Sequence, residues 1–275
     1  MNTVITGASS GIGAVAALDL AKRGHRLVLV GRDPARLAGV AERAGSIAGT
    51  PADVLVADFA SLDQVRRLAR ELLDRCQRID VLINNAGMMV GERQITEDDN
   101  ELIMQVNHLA PFLLTNLLID RLRACGARVV TTSSRAARAG RLDPADLSRE
   151  RRRWSGWRQY GDSKQANALF TVSLAERGLA ATCLHPGVLK TGFAADTRYM
   201  RLVTRVPGMS EPVATGAARI VHLATHEDGV AHPGRYFARD LPAGVPSRMS
   251  DPALAEVLWR ASLTATGLGP SAADS

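Results

Sequence analysis

Tyrosine and lysine four residues apart, in Tyr160-Gly-Asp-Ser-Lys164, are the side chains of this sequence best suited to moving a proton. Positions i and i+4 of a helix lie on one face, so phenol and ammonium would meet. Of 34 lysines and arginines only Lys22, Lys164 and Lys190 are lysines. Arginine is too basic to pass a proton and too broad to act as a compact point charge, so a retained lysine is a candidate for work that arginine cannot do. A tyrosine with a pKa of about 10 is a reluctant base at neutral pH, and an adjacent ammonium would stabilise its phenolate. Spacing alone is also what an exposed Tyr/Lys pair would show. The rest of the chain has to supply the context.

Short β-branched runs alternate with longer helical patterns, which predicts βα repeats and a parallel sheet. Strands are expected at 3–6, 26–30, 53–57, 81–84, 128–132, 180–185 and 234–237. Helices are expected at about 12–23, 34–44, 62–76, 97–124 (two in succession), 158–177 and 211–226. The fold class is therefore α/β: one doubly wound Rossmann-type domain over residues 1–266, with a seven-stranded parallel sheet flanked by helices. The small, polar stretch 267–275 reads as a flexible tail.

In such a fold the strand ends carry the chemistry. After the first strand comes Thr6-Gly7-Ala8-Ser9-Ser10-Gly11-Ile12-Gly13, leading into a helix. Glycines permit a tight turn and a close backbone approach, while free amides and the positive helix end attract phosphate. The spacing departs from the G-x-G-x-x-G dinucleotide fingerprint. The second strand ends in Val30-Gly31-Arg32-Asp33. Glycine stands where an acid would hold a free ribose 2′-hydroxyl and Arg32 follows, so a 2′-phosphate, and NADP over NAD, is favoured. Asp33 would instead cap the helix beginning at Pro34. Asp58, followed by Phe59, either accepts from an adenine amine or caps the next helix. The fourth strand ends in Asn84-Asn85-Ala86-Gly87, where small residues let backbone approach a cofactor and an asparagine can tie strands together.

Thr-Gly-x-x-x-Gly-Ile-Gly, Asn-Asn-Ala-Gly and Tyr-x-x-x-Lys at these intervals resemble the short-chain dehydrogenase/reductase family, over about residues 2–240. The resemblance implies Tyr160 as general acid/base, Lys164 as its partner and Asn107, in Gln-Val-Asn-His-Leu, as a helix-kink asparagine holding a relay water. Of Ser133 and Ser134 it points to the second as the serine orienting the substrate oxygen, with Ser133, on the opposite strand face, in reserve. It places cofactor contacts at Gly7, Ser9, Ser10, Gly11, Ile12, Gly13, Arg32, Asp58, Phe59, Asn85, Ala86 and Gly87. Tyr160, Lys164, Pro186, Gly187, Val188 and Thr191 complete that set. His185, before Pro186-Gly187, receives no catalytic role from it.

The 26 residues from Ser134 to Tyr160, the text Asp-Leu-Ser-Arg-Glu-Arg-Arg-Arg-Trp-Ser-Gly-Trp, and Pro-Gly-Arg-Tyr-Phe resemble the retinol dehydrogenase and WW-domain oxidoreductase branch. That implies an apolar carbonyl or alcohol substrate, under a loop of about 190–210 holding Phe193, Tyr199, Met200, Val203, Val206 and Met209. It also implies a homodimer or homotetramer packed through the helices of about 97–124 and 158–177. The function expected is NADP(H)-dependent hydride transfer; a catalytically silent NADP sensor is the alternative.

Composition narrows the other classes. No apolar run reaches the roughly 18 residues of a spanning helix, and the chain opens on Met-Asn-Thr-Val-Ile-Thr, so no membrane anchor and a cytoplasmic location are expected. Cys76, Cys125 and Cys183 are odd in number and far apart, which argues against a disulfide framework or a zinc site, and no metal is expected. Of the net charge of +6, five lie between Arg135 and Arg158, where eight arginines face three acids. A single basic loop reads as a solvated surface or an anion-attracting rim rather than a nucleic-acid platform, which would want aromatics interleaved along a face.

Overall fold

The computed structural model describes residues 1–187 and 211–269. β1 (Asn2–Thr6), β2 (Arg26–Gly31), β3 (Asp53–Val56), β4 (Val81–Asn84), β5 (Arg128–Thr132), β6 (Ala180–His185) and β7 (Tyr236–Ala238) pair in parallel. The order is β3-β2-β1-β4-β5-β6-β7, with a two-residue β8 (Leu241–Pro242) added antiparallel at the edge. The sheet is thus eight-stranded and mostly parallel, one short strand beyond expectation. Its reversal of order between β1 and β4 opens a crevice at the carboxyl ends of the strands, where ligands of this topology bind.

Helices α1 (Gly11–Lys22) and α2 (Pro34–Ala48) cover one face, and α3 (Leu62–Arg75) covers the other. The stretch expected to hold two helices holds four pieces. These are α4 (Leu102–Met104), a π turn (Gln105–Leu109), α5 (Ala110–Leu117) and α6 (Ile119–Ala124). Next come α7 (Gly156–Glu176), α8 (Val213–Thr225), the single turn α9 (Asp228–Ala231) and α10 (Pro252–Ala265).

The last helix was not foreseen, and it changes what α7 is for. Its start is marked in sequence by Asp251, whose carboxylate accepts from the Ala253 amide, and by Pro252 at the first turn. Trp259 drives its docking: the indole packs against Phe112 at 4.9 Å and Phe170 at 6.0 Å between ring centroids, with the Arg177 guanidinium 3.8 Å from it. Ala255 and Leu258 join Ala166 and Leu169 in the same layer. Ser173 Oγ donates to the Ala255 carbonyl, and His108 Nε2 bonds Ser262 Oγ. The last helix therefore covers one side of α7 within the chain. Burial holds His108 down at about 4, so it is a neutral packing residue.

Among the described residues no helix is long and apolar enough to cross a membrane. Val188, Lys190, Thr191 and the apolar residues assigned to the 190–210 loop lie outside the described residues, as does 270–275 of the tail.

Candidate active site

The carboxyl edge of β1 is closed by glycine. Gly7 (φ +68°) and Gly11 (φ +57°) take the left-handed backbone that favours glycine. A Cβ on Gly13 would stand 2.2 Å from the Gly7 carbonyl oxygen and 2.6 Å from Asn85 Nδ2, so no larger residue fits. Thr6 is the hub of this corner: its hydroxyl donates to the Ile83 carbonyl and accepts from the amides of Asn85 and Ala86. Asn85 Nδ2 donates to the Thr6 carbonyl, and its Oδ1 accepts from Thr132 Oγ1, tying β1 to β4 and β5. Asn84 turns the other way, to Thr115. Of the amide pair, Asn85 is thus the one that ties strands at the crevice, and its side chain is committed to that.

The first turn of α1 holds no acidic residue, and Ser10, its N-cap, makes no side-chain capping bond. Ser9 and Ile12 are half-buried and Ser10 is exposed. The helix end therefore presents amides that an anion can accept. Gly31 lies beside Ser9, at 3.4 Å from a built Cβ to its hydroxyl, and Arg32 is exposed. Asp33 is settled as a cap: Oδ1 accepts from the Arg36 amide, and the carboxylate pairs with the Arg36 guanidinium at 3.2 Å. Asp58 is no helix cap. It accepts from the Ala60 amide two residues on, and the first turn of α3 is capped from afar by Asp98 through the Leu62 amide. Phe59 is buried in the hydrophobic core.

Tyr160 and Lys164 sit one turn apart on the second and third turns of α7, as their spacing requires, and the ammonium lies 5.8 Å from the phenol ring centroid. Ser134 hydrogen-bonds the Tyr160 hydroxyl. Ser133 points away and donates to the Lys164 carbonyl at 2.7 Å, fastening β5 to α7. Strand alternation separates the two serines, and Ser134 is the one facing the tyrosine. Lys164 Nζ donates to the Thr132 carbonyl at 3.0 Å. A Cβ on Gly87 would stand 3.2 Å from Lys164 Nζ and 3.3 Å from Asn107 Oδ1, so glycine is what lets the two approach the end of β4. Asn107 sits in the π turn. Its Oδ1 accepts from the Met88 amide at 2.7 Å, and its Nδ2 donates to the Met88 carbonyl and Ser163 Oγ. The π turn is the helical distortion that delivers this bidentate grip.

The electrostatics correct one expectation. Burial pushes the Tyr160 phenol up to about 12 against the pull of Ser134, and pushes the Lys164 ammonium down to about 8. In the chain by itself the ammonium does not lower the phenol. Its proton is directed at Thr132, and desolvation outweighs it. Tyr160 is therefore protonated throughout the neutral range.

On the far side, Gly187 (φ +107°) is held by Arg219, which no motif had marked. Arg219 Nη1 donates to the Pro186 carbonyl at 2.8 Å, and a Cβ on Gly187 would come within 2.7 Å of it. Its signal in sequence is an arginine in the middle of the apolar run of α8. His185 Nδ1 accepts from the Arg135 amide, and burial beside Arg135 and Arg219 holds it at about 4, neutral and structural. Tyr160 joins Val90 and Trp154 in packing around Met89 and Ile103, and the Trp157 ring lies 6.3 Å from it.

The basic loop is neither a solvated surface nor a rim along its whole length. Arg149 is buried, with Nε and Nη2 at 2.8 and 2.7 Å from Asp162 Oδ2, while Arg152 bonds Asp146 at 2.8 Å. Arg138 and Arg151 donate to the carbonyls of Gly244 and Ala145. Arg149, with Arg152 at 3.8 Å, ties the 141–153 segment to Asp162 of α7, while Arg151 and Arg152 brace the segment on itself.

Comparison with known proteins agrees with this geometry. The family model "short chain dehydrogenase" matches residues 1–201. DnrU of Streptomyces sp. (strain C5), a candidate daunorubicin C-13 ketoreductase, is 42% identical over 270 residues, spanning 96% of this chain and 92% of that protein. Retinol dehydrogenase 12 of Mus musculus is 36% identical over 274 residues, spanning 96% and 86%. A crystal structure of a Mycobacterium paratuberculosis protein superposes with a TM-score of 0.78 at 33% identity, covering 97% and 93%. A Burkholderia cenocepacia short chain dehydrogenase in complex with NADP gives 0.69 at 25%, covering 86% and 95%. With its glycine turn, its Ser/Tyr/Lys/Asn cluster and matches over nearly its whole length, the chain belongs to the short-chain dehydrogenase/reductase family of oxidoreductases.

Proposed function

We propose that the chain is an NADP(H)-dependent reductase of bulky apolar ketones or aldehydes, with Tyr160 as proton donor. The observation that carries this is the convergence of Ser134, Tyr160, Lys164 and Asn107 on the carboxyl edge of β4 and β5, beside a glycine turn too tight for any side chain.

The residues fit a dinucleotide. The uncapped amides of α1 and the Gly7–Gly13 turn suit a pyrophosphate. Gly31 leaves room at the end of β2, Arg32 offers an exposed guanidinium, and Asp33 is already committed to Arg36, which together favour a 2′-phosphate. Lys164, with donors beyond the one given to Thr132, suits a ribose hydroxyl. When bound, NADPH supplies the hydride. Ser134 then orients the carbonyl oxygen, and Tyr160 Oη gives it a proton. Lys164 and Asn107 hold the route by which that proton is replaced. Met89, Trp154 and Trp157 supply an apolar approach to Tyr160, in keeping with relatives named for daunorubicin and retinol.

The deciding assay is oxidation of NADPH and of NADH by the purified chain across aliphatic, aromatic and polycyclic carbonyls. NADPH preference, reduced by at least about tenfold in Arg32→Ala, is expected, a tenfold change corresponding to about 1.4 kcal/mol. An NADH preference would remove the role given to Arg32. Independently, Gly13→Ala is expected to weaken NADPH binding by at least about tenfold in a fluorescence titration, because the new methyl must displace the Gly7 carbonyl. Unchanged affinity would place the pyrophosphate elsewhere.

A further inference from the structure

We propose that His222, His226, Asp228 and His232 form a binding site for a zinc-like divalent transition metal, at the opposite end of α8 from Arg219. His222 lies in the last turn of α8 and His226 is its C-cap. Asp228 opens α9, and His232 ends it. The chain can fold back this tightly because residue 229 is glycine: a Cβ there would stand 2.0 Å from the Leu223 carbonyl oxygen. Arg128, at the start of β5, donates to the His226 carbonyl and fixes the turn to the sheet.

The donor atoms already converge. Asp228 Oδ2 is 2.8 Å from His222 Nε2 and 3.0 Å from His226 Nδ1, and the two imidazoles stack at 4.5 Å. Potential ligand atoms of these three residues all lie within 4.8 Å of one another. His232 Nε2 stands 3.8 Å from the other carboxylate oxygen, as a fourth donor. Tetrahedral zinc with bonds of about 2.0–2.1 Å holds its ligands about 3.3 Å apart, close to the spacing of the carboxylate from the His222 and His226 donors, while His232 has to turn in from outside that group. Three imidazoles and one carboxylate match borderline ions such as zinc and not calcium or magnesium, which want oxygen. The carbonyl end of a helix also favours a cation, whereas the nearby Arg128 charge opposes one. All four side chains are at least partly exposed, so an ion has a path in. The cysteines gave no reason to expect a metal; here histidines supply the ligands, and Cys76 and Cys125 are not needed.

The test uses the full chain without an affinity tag, stripped with chelator and titrated with zinc chloride by calorimetry. One equivalent should bind with a dissociation constant below about 0.1 mM. It should raise Tm by several degrees, since an ion that binds only the folded state stabilises it by mass action. Cobalt(II) in its place should give a visible spectrum without thiolate charge transfer. His222→Gln and Asp228→Asn should each weaken binding at least about tenfold, while Cys76→Ser with Cys125→Ser should leave it unchanged. Equal zinc affinity in His222→Gln, loss of binding in the cysteine variant, or no saturable binding below about 0.1 mM would overturn the site. In the last case the four residues are a hydrogen-bonded helix end only. Because folding of each variant is read from its Tm in chelator and no turnover is measured, the outcome is separate from that of the reductase reading.

Discussion

Tyr160→Phe should retain NADPH binding close to that of the parent chain and lose carbonyl reduction by about 10²–10⁴-fold, the range a positioned general acid supplies. The hydroxyl is the only atom removed. The ring keeps its packing against the Met89 and Ile103 cluster, so the loss reads proton donation and not architecture. The pH dependence follows from the two buried groups. With the phenol held near 12, the acid is in its working form across the neutral range. With Lys164 lowered to about 8, kcat/KM for reduction should be level up to about pH 8 and fall above it, as the free enzyme loses its ammonium. Lys164→Arg keeps the charge above that pH but should not restore the rate. The site is 2% exposed and closed by Gly87 and the Thr132 carbonyl, with no room for a guanidinium fork. Retained turnover in Tyr160→Phe would remove the proton-donor role, and a Lys164→Arg rate equal to the parent's would reduce the lysine to a point charge.

The residues that could be read in advance are those whose type is dictated locally. Tyr160 and Lys164 meet because helix geometry brings i and i+4 together, and the glycine turn is legible because only glycine allows Gly13 to touch Gly7. The seven parallel strands of the sheet were legible from the alternation of short apolar runs with helical patterns, to within about two residues at either end, whereas the two-residue β8 was not. What stayed hidden depends on partners distant in sequence. Whether Ser133 or Ser134 faces Tyr160 follows from how β5 packs on α7, a contact 31 residues away from Ser133. The kink at Asn107 came only from the resemblance, and what it rests on, the reach of that side chain to the backbone of Met88, was not legible. Arg219 could not be found by motif, since it acts through one carbonyl of a turn 33 residues earlier. The phenol's upward shift was missed for a related reason. A pairing argument sees Lys164 but not the burial that overrides it.

The arginine loop offers the largest expected change in stability. Asp162→Asn should lower Tm by about 6 to 20 °C, from a loss of about 3–5 kcal/mol when a buried ion pair loses one partner and about 2–4 °C per kcal/mol in a chain of this size. Asparagine has the shape of aspartate and can still accept from the Arg141 amide, so the change isolates the charge. It leaves the Arg149 guanidinium 6% exposed with no counter-ion in contact, and Arg152 loses its secondary partner at 3.8 Å. Arg149 also holds a left-handed backbone (φ +48°), a conformation that costs a non-glycine residue about 1–2 kcal/mol and that the ion pair helps to keep. Burial already pushes the Asp162 carboxyl up, against Arg149 and the Arg141 amide, so the pair stands on geometry and not on solvation. The double change Arg149→Met with Asp162→Leu tests that balance, because apolar replacement of a whole buried pair is often neutral. Its Tm should lie well above that of Asp162→Asn. Since Asp162 is two residues from Tyr160 and projects to the other side of α7, the folded fraction of Asp162→Asn should keep its turnover below the transition. A small Tm change in Asp162→Asn would mean that the loop is held by its many carbonyl contacts, and that the concentration of arginine before Tyr160 has no structural need for this carboxylate.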